Sequence, residues 1–298
     1  MKRKKSAIRE SFSDRLLNVC IYLFLGALVI SCIYPVYFVI IASVSDATAV
    51  NSGRLLLWPS GFHTSGYKYV LSDSRILNGY LNTFEYTILG TLLGLAGTIP
   101  AGYALSRKDL PFRGFLMGLF VFTMYFNGGL IPTYLVVRSL GLVNTKAIIV
   151  IMGSITAYNI ILVRTFFQNT IPQELQEAAF IDGCGNIRFF FSIAVPLSSA
   201  IIAVISLYLA VSYWNGYFNA LIYLTDRDKM PLQIFLREIL LSQASADIAD
   251  GDLASDYKRM VQVIKYAVIV IATLPIMCLY PFLQKYFVKG VMVGSVKG

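Results

Sequence analysis

Residues 16–42 read Leu-Leu-Asn-Val-Cys-Ile-Tyr-Leu-Phe-Leu-Gly-Ala-Leu-Val-Ile-Ser-Cys-Ile-Tyr-Pro-Val-Tyr-Phe-Val-Ile-Ile-Ala, 27 positions without one charged side chain. A helix crosses the hydrocarbon core of a bilayer in about 20 apolar residues, so this run is long enough to span. It follows Met-Lys-Arg-Lys-Lys, as a secretory signal would, but it far exceeds the roughly 7 to 15 residues of a signal core. It reads as an uncleaved anchor.

Working outward, five more apolar stretches reach or approach spanning length, at residues 83–106, 115–137, 147–166, 198–213 and 263–288. Hydrocarbon offers backbone N–H and C=O groups no partner outside the segment, so each is predicted to be a helix. The predicted fold class is an all-α integral membrane protein with six transmembrane helices. Residues 1–15 would form a basic cytoplasmic arm, residues 16–288 the six-span domain and residues 289–298 a cytoplasmic tail.

Composition agrees: of 298 residues 57% are hydrophobic and only 14% charged, against about 25% charged in soluble domains. The net charge of +9 could suggest nucleic acid, but its distribution follows the predicted topology. With the N-terminus inside, inner segments carry a net +8 and the longer outer segments +1, the bias expected of cytoplasmic loops. Both termini are therefore predicted to be cytoplasmic. Four cysteines without disulfide or zinc spacing read as free thiols, and His63, the only histidine, cannot build a multi-histidine metal site.

The loop between the fourth and fifth predicted spans carries the functional information. It runs Ile171-Pro-Gln-Glu-Leu-Gln-Glu-Ala-Ala-Phe-Ile-Asp-Gly-Cys-Gly-Asn-Ile-Arg-Phe-Phe-Phe-Ser-Ile-Ala-Val-Pro196 and faces the cytoplasm. Pro172 suits a helix start, and Glu174 to Phe180 is a good helix former with acids early, where the helix dipole favours them. Gly183 and Gly185 permit a reversal into a second short helix, Ile187 to Ile193. Ala178 and Ala179 are flat enough to enter a partner's groove. Such a knob, fixed to two membrane helices, can transmit movement of a soluble subunit to the spans.

Glu177-Ala178-Ala179, three residues, Gly183, nine residues, Ile193, one residue and Val195-Pro196 resembles the EAA loop of binding-protein-dependent ABC importer permeases. The family pattern ends in Leu-Pro, so Val195 is a conservative departure. Asn82-Thr83, Phe126-Asn-Gly-Gly-Leu-Ile-Pro132, Tyr213-Trp-Asn215 and the tail Lys289-Gly-Val-Met-Val-Gly-Ser-Val-Lys-Gly298 are similar to the maltose-type carbohydrate permeases. Within them, the subgroup working with lipoprotein binding proteins on complex oligosaccharides is nearest. The resemblance implies an ABC type I importer permease fold that moves sugars or oligosaccharides delivered by an extracellular binding protein. It implies that Glu177, Ala178, Ala179, Asp182 and Gly183 dock on the ATPase, and that a second permease and two ATPase subunits complete the assembly.

No Gly-x4-Gly-Lys-Ser/Thr motif or even a Gly-Lys dipeptide occurs, so this chain is expected to bind no cofactor, with ATP and Mg held by separate subunits. It is not expected to be an enzyme. Along the spans, Tyr125, Asn127, Tyr158 and Asn159 have the amides and aromatic faces that suit sugar hydroxyls. Polar residues in spans also serve as interhelical glue, and Gly90-x3-Gly94 and Gly114-x3-Gly118 read as packing motifs. The alternatives are an importer permease for amino acids or peptides and an ion-coupled secondary transporter. The latter calls for buried carboxylates, whereas Glu85 sits within a turn of the outer end of its span. A glycoside hydrolase or lyase gene beside a lipoprotein gene would favour sugar.

Overall fold

The computed structural model describes residues 11–53, 57–246 and 264–278, and among the described residues the secondary structure is helical without strands. Most of the basic arm, residues 279–288 of the sixth expected span and the tail 289–298 lie outside the described residues. The chain divides into two compact units, residues 1–70 with 243–270 and residues 71–242 with 271–298.

In the first unit, α1 (Phe12–Ser43) starts where Asp14 accepts a hydrogen bond from the Ser11 N–H at 3.2 Å. It is apolar around its whole circumference and exposed over most of its length, as a helix solvated by lipid must be. Only its C-terminal end is buried, where Ile41 and Ala42 pack with Phe38, Val50 and Tyr266. The short helix α2 (Ala47–Asn51) is capped by Asp46, whose carboxylate accepts from the Thr48 N–H at 2.7 Å. Helix α3 (Ser65–Ser72) carries Tyr67, whose hydroxyl bonds Ser43 Oγ at 2.6 Å. His63 lies in the connection, with Nδ1 2.9 Å from the Gly61 carbonyl.

The second unit is organised on α4 (Ser74–Ser106), which begins nine residues before the expected start of its span. Helices α8 (Ala157–Thr170) and α12 (Ser199–Trp214) pack along it. Glycines on α4 allow the close approach. A Cβ on Gly90 would lie 2.3 Å from the Tyr213 ring, one on Gly94 2.5 Å from the Ser154 carbonyl oxygen, and one on Gly102 2.5 Å from Val163. The packing role read for Gly90-x3-Gly94 therefore has a physical partner. Gly114 and Gly118 differ: among the described residues nothing lies within 4 Å of a Cβ at either, so there that pair packs no helix.

Two expected spans are broken. Residues 115–137 are split between α5 (Arg113–Tyr125) and α6 (Leu130–Ser139), which meet at 112°. Gly129, at φ +82°, makes the turn, and its N–H is taken by Asn127 Oδ1 at 3.0 Å. Pro132 sits in the first turn of α6, where an absent N–H costs no intrahelical bond. Residues 147–166 are split between α7 (Lys146–Ile151) and α8. Here Gly153 has φ +83°, Thr156 Oγ1 accepts from the Asn159 N–H at 3.2 Å, and the Tyr213 hydroxyl donates to the Val150 carbonyl at 2.6 Å. These bonds satisfy backbone groups that the break removes from the helical ladder, a requirement wherever helices are interrupted in a membrane. By length and apolarity α1 and α4 can each cross a membrane, and two bent pairs, α5 with α6 and residues 186–197 with α12, reach the same length. Helix Ile264–Cys278 is also apolar but shorter within the described residues.

The N-terminal half of α4 holds a strap at residues 227–232, in which a 3-10 turn (Arg227–Lys229) leads to the helix Leu232–Ala246. The Asn82 amide donates to the carbonyls of Asp228 at 2.7 Å and Met230 at 3.1 Å. Tyr86 donates to the Lys229 carbonyl at 2.6 Å, and Thr83 Oγ1 accepts from the Leu232 N–H at 2.9 Å. A second clasp forms at Asn144, at φ +61°, whose Oδ1 accepts from the N–H groups of Thr225 and Asp226. Glu85, the acid considered for ion coupling, is paired with Lys146 at 2.6 Å.

Candidate functional site

The loop after α8 folds as two helical pieces with a sharp reversal. Pro172 is the N-cap of α9 (Gln173–Ile181), and one turn beyond Gln173 the Glu177 carboxylate accepts from the Gln173 amide at 2.8 Å. At the C-terminus the Gly183 N–H donates to the Phe180 carbonyl at 3.0 Å and the Cys184 N–H to the Ala179 carbonyl at 2.9 Å. This pair of bonds is the Schellman arrangement, which needs a left-handed residue after the cap. Gly183 supplies it at φ +78°. Gly185 does not share that role, since it has φ −75° and forms the extended N-cap of the next helix.

That next helical run is longer than expected from the sequence. It comprises α10 (Asn186–Phe189), a π-helical turn (Phe190–Ala194) and α11 (Val195–Leu197), and meets α12 at 78°. Pro196 accounts for the irregularity, because it has no N–H to return to the preceding turn and its ring crowds the carbonyl there. Phe189, Phe190 and Ala194 are buried with Val163, Phe167, Ile201 and Ile205, and Ala179 and Cys184 pack on the same cluster. The knob is thereby seated on the C-terminal end of α8 and the N-terminal end of α12.

Its free side is chemically mixed. Glu177, Ala178, Asp182 and Gly183 are exposed, Ala179 is half-buried, and the apolar side chains of Ile181 and Ile187 are 86% and 77% exposed. Exposed aliphatic groups on a segment that also carries the exposed carboxylates of Glu174, Glu177 and Asp182 are a surface that a partner can cover.

Sequence reasoning passed over a clamp beside this knob. Arg107, just past the end of α4, has its side chain only 9% exposed. Its Nε and Nη2 donate to the two Asp109 oxygens at 2.8 and 2.6 Å, and Nη1 donates to the Tyr103 hydroxyl at 3.1 Å. The guanidinium also lies over two rings, 5.9 Å from the centre of Tyr103 and 5.4 Å from that of Phe180 on α9. The Asp109 carboxylate raises the Arg107 pKa above its ordinary value despite burial, and Arg107 in turn holds Asp109 below the usual carboxylate range. Its bonds to Asp109 and Tyr103 are local, but no motif signals the contact with Phe180, which lies far along the chain from Arg107.

The residues expected along a sugar pathway do not converge. Tyr125 and Asn127 lie at the α5–α6 break, Tyr125 79% exposed, with Asn127 turned back onto Gly129. Tyr158 is exposed at the start of α8, whereas the adjacent Asn159 is 7% exposed. No hydrogen bond or ring contact joins Tyr125 or Asn127 to Tyr158 or Asn159. Burial makes Asn159 better suited to packing than to contact with a passing ligand.

A family model described as "Binding-protein-dependent transport system inner membrane component" matches residues 94–293, two-thirds of the chain and all of the knob. This chain belongs to that family. The permease is 42% identical to the polygalacturonan/rhamnogalacturonan transport system permease protein YtcP of Bacillus subtilis over 96% of this chain and 99% of that protein. It is 27% identical to the melibiose/raffinose/stachyose import permease protein MelC of the same organism, over 91% and 95% of the two chains. Among solved structures it resembles a chain from a bacterial ABC transporter involved in the import of the acidic polysaccharide alginate. That match has a TM-score of 0.83 and 32% identity, covering 94% of this permease and 100% of that chain.

Proposed function

We propose that this chain is the permease subunit of an ATP-driven importer for oligosaccharides, with its knob at Glu177, Ala178, Ala179, Asp182 and Gly183 docking on a separate ATPase. The observation that carries the reading is the reversal at Gly183, which presents an exposed acidic and aliphatic surface from a base buried among membrane helices. A surface built in that way suits transfer of motion, since it is exposed on one side and anchored to two helices on the other.

The assembly comprises a second, different permease, two ATPase subunits that bind ATP and Mg, and an extracellular lipoprotein that delivers the sugar. The chain lies in the cytoplasmic membrane with both termini inside and the strap at residues 227–232 outside, as the charge bias supports. Tyr125, Asn127 and Tyr158 are on open surface of this subunit and are the residues offered to a pathway shared with the second permease; Asn159, being buried, is set behind it. The relatives' substrates favour sugars over amino acids or peptides, and acidic oligosaccharides come first because the solved relative imports an acidic polysaccharide.

Reconstitution of the complete transporter in proteoliposomes tests this. Loaded binding protein is expected to stimulate ATP hydrolysis with at least one member of a panel of neutral and uronate-containing oligosaccharides. Stimulation by peptides or amino acids, with none by any saccharide, would overturn the substrate class.

A further inference from the structure

We infer that Arg107 is a positioning residue for energy coupling: it fastens α9, through Phe180, to the cytoplasmic end of α4, so that displacement of the knob moves the helix on which α8 and α12 pack. The inference rests on the proposed role of residues 177–183 in docking the ATPase.

The geometry is that of a clamp rather than a surface ion pair. An exposed arginine pairs loosely and is screened, whereas Arg107 is nearly enclosed and its planar group is fixed in three directions. Asp109 holds the fork bidentately, the Tyr103 hydroxyl accepts from the third nitrogen, and the Phe180 ring closes one face. Tyr103 is itself fixed, its ring 5.3 Å from Phe167 on α8 and 4.9 Å from Phe190 in the π-helical turn. Phe180 is seated edge-on against Phe189 at 6.2 Å. Arg107 therefore stands where α4, α8, α9 and the run into α12 come together.

Helix α4 gives the contact its reach. Its 33 residues amount to about 50 Å at 1.5 Å per residue, and its opposite end binds the strap at residues 227–232 through Asn82, Thr83 and Tyr86. Pro100 removes one backbone bond from the helix, so the clamp acts first on the segment from Pro100 to Ser106. That segment includes Gly102, which a Cβ would drive into Val163 on α8. Movement at Phe180 is thus delivered to a close helix–helix contact.

The test is the ratio of hydrolysis stimulated by loaded binding protein to basal hydrolysis, measured with ATPase retention in the reconstituted transporter. Arg107→Met keeps the apolar stem but loses the charge and fork. It is expected to retain the ATPase while the ratio falls about three- to thirtyfold, the range in which residues along a coupling route act. Arg107→Lys, which keeps a cation near the rings, should recover part of the ratio. Asp109→Asn, at an exposed position where folding is not at stake, should fall between wild type and Arg107→Met. A wild-type ratio in Arg107→Met, or a loss of hydrolysis proportional to lost ATPase, would overturn the inference. If Arg107→Met fails to fold, a wild-type ratio in Asp109→Asn does so instead. Glu177→Lys separates the two readings: if it still impairs ATPase retention or stimulation while the Arg107 set is silent, only the clamp fails.

Discussion

Gly183→Val should abolish sugar uptake while the subunit still inserts in the membrane. The penalty comes from the backbone rather than from crowding, since nothing lies within 4 Å of a Cβ at this position. A β-branched residue at φ +78° is held in a region it rarely occupies, at a cost of about 1 to 3 kcal/mol. The chain can escape that cost by leaving the left-handed conformation, and doing so breaks the bonds from the Gly183 and Cys184 N–H groups to Phe180 and Ala179. The knob then loses the shape that presents Glu177 and Ile181. Gly183→Asn is the control, because asparagine tolerates this conformation better than other side chains. It is expected to keep substantially more uptake than the valine variant. Equal loss in both would place the defect in side-chain size at the ATPase surface instead.

Gly94→Leu should prevent accumulation of folded permease. At most exposed helical positions, replacing glycine gains about 1 kcal/mol of helix propensity. Here a Cβ would stand 2.5 Å from the Ser154 carbonyl oxygen and 2.6 Å from Leu209. The first of these is backbone at the α7–α8 break and cannot rotate aside. Overpacking by even small groups costs about 1 to 3 kcal/mol, so Gly94→Ala should lower the thermal midpoint of the detergent-solubilised complex, and the leucine variant should be lost to degradation. Gly118→Ala, with open space around its Cβ, should leave the folding of this subunit unchanged. Normal yield and stability of Gly94→Leu would mean that α4 and α12 do not approach as described.

Much of this architecture is legible in the sequence because the bilayer imposes few solutions. Long apolar runs must be helices, and the runs at residues 16–42 and 83–106 fall inside α1 and α4. The breaks are harder to read. At residues 126–129 the glycines and Pro132 mark one, but residues 152–156, Met-Gly-Ser-Ile-Thr, offer no proline and a single glycine, and hydroxyl side chains are common inside spans. There the groups that repair the ladder include Tyr213, which hydropathy cannot connect to Val150.

The knob follows the same division. Pro172, Gly183 and Pro196 are local signals and each marks a feature of the backbone, at the start of α9, the reversal and the π-helical turn. The Phe180 contact of Arg107 and the clasps at Asn82 and Asn144 join residues distant in sequence, and no period or spacing encodes such pairings. Polar type alone was also a weak guide to a pathway. It selected Tyr158 and Asn159 together, although adjacent positions on a helix differ by about 100° in direction at 3.6 residues per turn and only the first is exposed.

The central claim is that residues 177–183 couple sugar import to a separate ATPase, and Glu177→Lys in the reconstituted transporter tests it most directly. The exposed carboxylate lies on the short helix that carries the knob, where reversing the charge changes any pairing with the ATPase without touching a membrane helix. ATPase retention and oligosaccharide uptake should be measured on the same vesicles. The account predicts normal insertion with loss of uptake, through loss either of bound ATPase or of stimulated hydrolysis. Wild-type uptake with wild-type ATPase retention and stimulation would contradict it.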